Sequence, residues 1–249
     1  MIPKKIHYCW FGKKEKPKYI RKCIDSWKIL GYEIYEWNED NYDLNKHPYV
    51  KCNYLEKKWA FVSDYVRLDV LYKYGGIYLD TDVKFIKKLP DDYLNVDFLL
   101  GFQFECILGT HIIGAKKESR VLKLILDEYN VISKNQIFTN NMLFNEFFLE
   151  KVPSFKLNGK TQTIIFDNEK IIVYAKHYFS CPIFFKEGYA FHLLDNSWRN
   201  KKYIKLKKVL KSIIGNSVYY NLIAWRAIRK SYSNKYKEIY DRIKRNDKI

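Results

Sequence analysis

The stretch from Trp59 to Asp82 leaves this chain the fewest choices of fold. Trp59 to Tyr74 carries a helical pattern with Leu68 and Leu71 at apolar positions, and Gly75-Gly76 stops it. Ile77-Tyr78-Leu79 follows as an apolar run suited to a buried strand, and it leads into Asp80-Thr81-Asp82. The opening of the chain repeats the alternation. Residues 6–10 read as a strand ending at Gly12. Pro17 opens a helix carrying Ile20, Ile24, Trp27 and Leu30, Gly31 stops it, and residues 32–37 alternate like a second strand. A β-α-β start of this kind predicts an α/β fold with a parallel sheet. Further strands are expected over 98–104, 111–115, 163–166 and 170–174, the last two around a turn at Asp167-Asn168. Helices are expected over 118–132 and 141–150. No internal repeat or Pro/Gly/Ser linker interrupts the pattern.

The same stretch holds the chemistry. Asp80 and Asp82, spaced i and i+2 just past a buried strand, project from the C-terminal edge of the sheet, where open α/β folds bind ligands. Hard oxygen ligands of this kind suit Mg²⁺ or Mn²⁺ bridging to a diphosphate. Taken alone, two such carboxylates are equally a solvated acidic turn. The upstream helix shifts that balance. Asp64 and Arg67, at i and i+3, share one helix face. On a surface such a pair contributes only about 0–1 kcal/mol, but Leu68 and Leu71 hold much of this helix in the core. Asp64, Arg67, Tyr78, Asp80 and Asp82 are therefore expected to line one cleft.

Charge divides the chain in two. The formal net charge is +17. From Arg199 onward there are 16 Lys+Arg against 3 Asp+Glu, a net of +13, which leaves +4 for residues 1–198. The expected organisation is a body over 1–198 and a basic helical tail over 199–249. Within the tail, Val209, Leu210, Ile213, Ile214, Val218, Tyr219, Leu222, Ile223 and Trp225 form a broad apolar stripe at helical spacing. Basic amphipathic helices with Trp and Tyr suit the interface of anionic membranes, at about 1 kcal/mol per Lys or Arg near the surface. The alternative is a helix pair packed on the body with solvated lysines. Motifs of nucleic-acid binding are absent, so no nucleic-acid partner is expected. The apolar share of 47% excludes disorder as the main state. Cysteines 9, 23, 52, 106 and 181 are scattered and form no CxxC, so buried free thiols are expected. No run approaches the roughly 18 apolar residues of a membrane span, and the first residues lack the apolar core of a secretory signal. The expected location is the cytoplasm, peripheral to the inner face of the cell membrane.

Three motifs, in order, carry a family resemblance. They are Ile2-Pro3-Lys4-Lys5-Ile6-His7-Tyr8-Cys9-Trp10-Phe11-Gly12, the segment from Ser63 to Asp82, and His192 followed by Ser197-Trp198. Together they resemble the DXD sugar-binding glycosyltransferases of family 32, which are related to the glucosylating domains of large clostridial toxins and to yeast initiating mannosyltransferases. The resemblance implies a GT-A (Rossmann-like) catalytic domain over 1–198 with a basic helical C-terminal extension. It implies a retaining, Mn²⁺- or Mg²⁺-dependent transferase moving a hexose, galactose or glucose first, from a UDP-sugar. It also implies that Trp10 stacks on the donor base, Asp64 holds ribose or sugar hydroxyls, Arg67 the sugar or phosphate region, and Tyr78 the sugar–phosphate region. Asp80 then bridges ribose and metal, Asp82 binds the metal, and His192, Asn196 or Ser197 completes its shell, with Trp198 over the phosphates. His7 reads as a core histidine rather than a ligand. Thr110-His111 and Asn140-Asn141 depart from the family pattern near the acceptor side, where Gln103, Glu105 and His111 are candidates. The setting implied is bacterial capsule or surface-polysaccharide assembly on a saccharide acceptor, lipid-linked if the tail meets a membrane.

Two other readings compete. The run from Tyr78 to Val83 also fits the nucleophile motif of haloacid-dehalogenase-like Mg²⁺ phosphatases, with Asp80 as the phosphoryl acceptor and Asp82 as acid/base. That scheme leaves Trp10, the Asp64/Arg67 pair and Ser197-Trp198 without a role. A non-catalytic basic lipid- or nucleic-acid-binding module accounts for the tail but not for the intact DxD.

Overall fold

The computed structural model describes residues 1–131, 139–180, 188–194, 218–219, 222 and 234–246. In chain order the elements are β1 (Lys5–Cys9), α1 (Lys18–Ser26) running into a 3-10 turn (Trp27–Leu30), β2 (Glu33–Trp37), α2 (Pro48–Leu55), α3 (Trp59–Tyr74), β3 (Gly76–Leu79) and β4 (Val83–Phe85). They continue with β5 (Phe98–Phe104), β6 (Ile107–Ala115), α4 (Arg120–Glu128), α5 (Asn140–Lys151), β7 (Gln162–Phe166), β8 (Glu169–Tyr174), α6 (Lys176–Phe179) and β9 (Ala190–His192). A last helix, α7, spans Asn234–Asn246.

Seven strands form one sheet in the order β2-β1-β3-β6-β5-β8-β7. The β-α-β opening is present, since β1 pairs in parallel with both β2 and β3. The sheet as a whole is mixed, which corrects the expectation of a parallel one. β6 runs antiparallel to β3 and to β5, because a tight β5–β6 hairpin fills the middle of the sheet. Only β5 and β8 restore a parallel pair on the far side. A second, two-stranded sheet joins β4 to β9.

The core lies on both faces of the large sheet. Tyr78, Phe98, Leu100 and Ile113 face one cluster with α2 to α5, and their strand neighbours Ile77, Leu79, Leu99 and Ile112 face another with the α1 segment and β4. That alternation is the two-residue period of a strand buried on both sides. Gly76 is required where β3 begins. Its φ is +119°, and a Cβ there would lie 2.7 Å from the Lys5 carbonyl oxygen. Asp167 and Asn168, at φ +49° and +61°, make the expected tight turn between β7 and β8.

Local chemistry explains the other departures. The helix expected over 118–132 is shorter, because Glu118 sits at φ +57° and Ser119 caps α4 by accepting the Leu122 N–H. α2 escaped the periodicity argument because only Val50 in it is fully buried, and it starts at Pro48 behind a His47 side-chain cap. Cys9, Cys23 and Cys106 are buried free thiols as expected, Cys52 is half-exposed, and Cys181 lies outside the described residues. The apolar side of α7 is turned to the body. Tyr236 is buried, Ile239, Tyr240 and Ile243 pack on the larger core cluster, and Tyr236 donates to Glu146 Oε1 at 2.5 Å. Among the expected tail stripe, Val218 and Leu222 are exposed and Tyr219 is buried. The remainder of that stripe lies outside the described residues.

Candidate functional site

The site is assembled from the ends of three elements. β3 ends at Leu79, and Asp80 continues its line by donating its N–H to the His111 carbonyl of β6 at 2.8 Å. The chain then turns, with Val83 N–H donating to Asp80 O, and enters β4. β4 is held in place by the α1 segment. The Trp27 indole N–H donates to the Val83 carbonyl at 2.9 Å, and the Phe85 N–H donates to Ser26 Oγ at 3.0 Å. The pairing of β4 with β9 sets Val83 opposite His192. His192, more than a hundred positions away in sequence, is thereby delivered to the DxD turn. Its Nε2 lies 3.1 Å from Asp82 Oδ1.

α3 supplies the other wall. Arg67 is buried and fully engaged. Its Nη2 meets Asp64 Oδ1 at 3.0 Å and its Nη1 meets Asp80 Oδ1 at 3.1 Å. Nη1 also donates to the Thr110 carbonyl at 2.6 Å, and Nε donates to the Ser63 carbonyl. The guanidinium lies 4.5 Å from the centre of the Tyr78 ring, and the Tyr78 hydroxyl donates to Asp80 Oδ1. Asp64, Arg67, Tyr78, Asp80 and Asp82 thus lie together in one cluster. The planar, five-donor guanidinium is the side chain suited to bridging two carboxylates and a carbonyl at once.

Charge in the cleft is unbalanced toward negative. Burial pushes the Asp64 carboxyl up to about 6, against the pull of Arg67. Burial also raises the Asp80 carboxyl, with Asp82 adding to the effect. Burial tends to deprotonate Arg67, but Asp80, Tyr78 and Asp64 outweigh it and hold the guanidinium charged. For His192 burial favours the neutral ring, but Asp82 and Asp80 outweigh that and raise its pKa. Asp80, Asp82 and His192 each present a ligand atom within 4.8 Å of the others. Two carboxylates and an imidazole around a surplus of negative charge fit a divalent cation, and the mixed O/N set suits Mn²⁺ better than Mg²⁺.

The remaining expected site residues take varied places. Trp10 lies one residue past β1, beside the end of β3, with its indole N–H donating to the Lys14 carbonyl at 2.6 Å and Lys16 Nζ 5.6 Å from its ring. His7 is a structural residue. It is buried, with Nε2 bonded to the Gly75 carbonyl at 2.9 Å, and burial lowers its pKa to about 4. Gln103 accepts from Asn141 Nδ2 at 2.6 Å. Glu105 pairs with Lys176. His111 is buried. Every residue of β6 is buried, and the His111 ring is stacked behind His192. Asn196, Ser197 and Trp198 lie outside the described residues. Asn140 and Asn141, which the resemblance put near the acceptor side, stand at the start of α5 and reach the Asp64 end of the site. Asn140 Nδ2 donates to the Asp64 carbonyl at 2.9 Å, and Asn141 Oδ1 accepts from Thr110 Oγ1.

Residues 14–99 match the family described as "Glycosyltransferase sugar-binding region containing DXD motif". The part of the chain that builds this site is therefore similar to the DXD-containing sugar-binding region of glycosyltransferases. The match takes in Asp64, Arg67, Tyr78, Asp80 and Asp82 and leaves the phosphatase reading without support. Similar curated proteins agree. An uncharacterized glycosyltransferase of Acanthamoeba polyphaga mimivirus is 24% identical over 84% of this chain and 88% of that protein. Inositol phosphoceramide mannosyltransferase 3 of Schizosaccharomyces pombe is 34% identical over 33% of this chain, which spans 24% of that relative. Among solved structures, the glycosyltransferase PaToxG is 21% identical over 60% of this chain and 69% of that one, with a TM-score of 0.43. A glycosyltransferase involved in the glycosylation of the major capsid of PBCV-1 is 14% identical over 76% and 93%, with a TM-score of 0.46. The architecture is α/β, as expected. No helix among the described residues is long and apolar enough to cross a membrane.

Proposed function

We propose that this chain is a glycosyltransferase, a retaining, divalent-cation-dependent hexosyltransferase that takes its sugar from a nucleotide diphosphate, UDP-galactose or UDP-glucose before GDP-mannose. The observation that carries the reading is the meeting of Asp80, Asp82 and His192 beside the Arg67-bridged pair of Asp64 and Asp80. A cation held by Asp80, Asp82 and His192 supplies neutralisation of the charge that grows on the leaving diphosphate. Arg67 adds fixed positive charge in a buried setting, where it is worth more than in water. Asp64, fixed through its main-chain carbonyl by Asn140 and through its carboxylate by Arg67, holds the donor's hydroxyls. Trp10 offers one indole face to the nucleobase, worth roughly 1–3 kcal/mol, while Lys16 flanks the ring. The oxygen of Gln103 is taken by Asn141, so its amide N–H₂ is left to donate to an acceptor hydroxyl. Retention proceeds at the front face, with the leaving phosphate accepting the acceptor's proton. A trapped glycosyl–enzyme adduct would contradict that route.

The acceptor is a saccharide, lipid-linked and presented at an anionic membrane, as in capsule or surface-polysaccharide assembly. The +13 charge beyond residue 198 supports this, as does a relative whose name places it on inositol phosphoceramide. Flotation with anionic but not neutral vesicles is expected, and binding indifferent to lipid charge would exclude the membrane partner. The decisive assay is donor hydrolysis and thermal shift over a panel of nucleotide-sugars, with Mn²⁺ and with chelator. One donor should give a metal-dependent shift and slow nucleotide release. Asp82→Asn should abolish both while leaving the fold intact, and near-normal turnover by that variant would refute the cation assignment.

A further inference from the structure

His111 is the buried polar side chain of the cleft to which the proposed reaction gives no part. Its exposure is 2%. Its ring lies face to face with His192, centroids 4.5 Å apart and planes within 14°. Ser180 ties the two histidines together. Its Oγ gives its only hydrogen to the Phe102 carbonyl at 2.9 Å, so it accepts from His111 Nε2–H, also at 2.9 Å. The Ser180 carbonyl accepts the His192 N–H at 3.1 Å. The His111 tautomer is thereby fixed, and its Nδ1 is a buried lone pair with no hydrogen-bond partner among the described residues. The edge carrying Nδ1 sits over Gly109, where a Cβ would come within 2.5 Å of Cε1 and 2.6 Å of Nδ1. Three neighbours therefore hold the ring: Ser180 at Nε2, Gly109 under the opposite edge, and His192 across its face.

A metal-binding histidine is normally oriented by a hydrogen bond from its second nitrogen to a carboxylate or carbonyl. His192 lacks that support. Its Nε2 faces Asp82, and its Nδ1 is buried with no hydrogen-bond partner among the described residues. Orientation of the ring falls instead to what lies against it. We propose that His111 is a positioning residue, a locked aromatic plate that fixes the ring plane of His192 and so sets the cation affinity of the Asp80, Asp82 and His192 group. Stacking does this without adding a charge beside the ligands. The proposal rests on the reading of those three residues as the cation-holding group.

The test is Mn²⁺ titration of the full chain without donor, followed by the EPR signal of the free ion and by the ¹⁴N coupling to bound Mn²⁺. His111→Ala should weaken Mn²⁺ binding about 10-fold, the scale typical for loss of a ligand's support, and should blur the ¹⁴N coupling. His111→Phe keeps the plate and should stay within about 3-fold of wild type. His111→Leu fills the volume without a ring, and it carries the test if the alanine variant fails to fold. Wild-type Mn²⁺ affinity in His111→Ala or His111→Leu, or a His111→Phe variant as weak as these, overturns the proposal. His192→Ala separates the two levels of argument. Unchanged affinity and ¹⁴N coupling there would refute the cation site itself, whereas loss there with a silent His111 would refute the positioning role alone.

Discussion

Asp64→Asn should make the protein more stable at neutral pH while removing its activity. The Asp64 side chain is 15% exposed and its one charged partner is Arg67, which it shares with Asp80. Burial raises its carboxyl from 3.8 to about 6. A carboxyl whose folded pKa exceeds its unfolded value favours the fold while protonated. That contribution is fully present below 3.8 and is lost as pH rises through about 6. A shift of roughly two units at 1.36 kcal/mol each is about 3 kcal/mol in all, of which roughly 2 kcal/mol falls between pH 4.5 and 8. Asparagine keeps an oxygen for Arg67 and has no proton to lose. The stability of the variant relative to wild type should therefore rise by about 2 kcal/mol from pH 4.5 to pH 8. With about 0.5 kcal/mol/K of unfolding entropy for a chain of this size, that is a relative gain of about 4 °C in Tm. Guanidinium melts of both proteins at pH 4.5, 6 and 8 measure it. Parallel pH profiles would show that Arg67 compensates the carboxylate fully, and the argument that the cleft carries excess negative charge would fall with them.

Three further substitutions probe separate parts of the argument. Arg67→Lys should keep the fold but lower turnover at least about 100-fold, because one ammonium cannot serve Asp64, Asp80 and the Thr110 carbonyl together. A variant with wild-type kcat/KM would show that positive charge alone suffices. Gly76→Ala should cost about 2 kcal/mol or more in a denaturant melt, from its left-handed φ and from the Lys5 carbonyl in the way of a Cβ. Stability within 0.5 kcal/mol of wild type, about the noise of a surface change, would contradict the tight α3-to-β3 approach. Tyr236→Ala should cost about 3 kcal/mol and expose α7 to limited proteolysis, since it empties a buried aromatic site and removes the hydroxyl that bonds Glu146. Unchanged protection would mean that α7 does not depend on that anchor.

What the sequence revealed and what it hid follow one physical distinction. Contacts close in sequence were legible. Asp64 and Arg67 share a helix face, Gly75-Gly76 forces the return, and the apolar run of β3 places Asp80 and Asp82 at a sheet end. Each inference spans fewer than twenty residues and rests on helix or strand period. The mixed character of the sheet was not legible, because β5 and β6 read as strands whichever way they run, and only the short 105–106 connection makes them a hairpin. β4 and β9 were missed because three-residue strands leave no periodic signal. The delivery of His192 to Asp82 depends entirely on their pairing, so the resemblance motif named His192 where spacing alone did not. The burial of His111 was not legible either, because it is decided by Ser180 and His192, both far along the chain.

The α3–β3 unit also explains why this cleft unites stability and chemistry in the same residues. Arg67 is buried only because Tyr78, Asp80, Asp64 and the Thr110 carbonyl satisfy its donors, and removing any one of them leaves a buried charge partly unpaired. Such an arrangement contributes little net stability, since desolvation of the ions offsets much of their attraction. It does fix their positions. Asp80 is held from one side by Arg67 and Tyr78 through a single oxygen, Oδ1, and from the backbone by the His111 carbonyl. Its second oxygen is left for the group it shares with Asp82 and His192. A carboxylate free to rotate would lose that division. The costly burial of Arg67 is therefore best understood as preorganisation: the positive charge and the acidic edge are set before a donor arrives, and binding need not rearrange them.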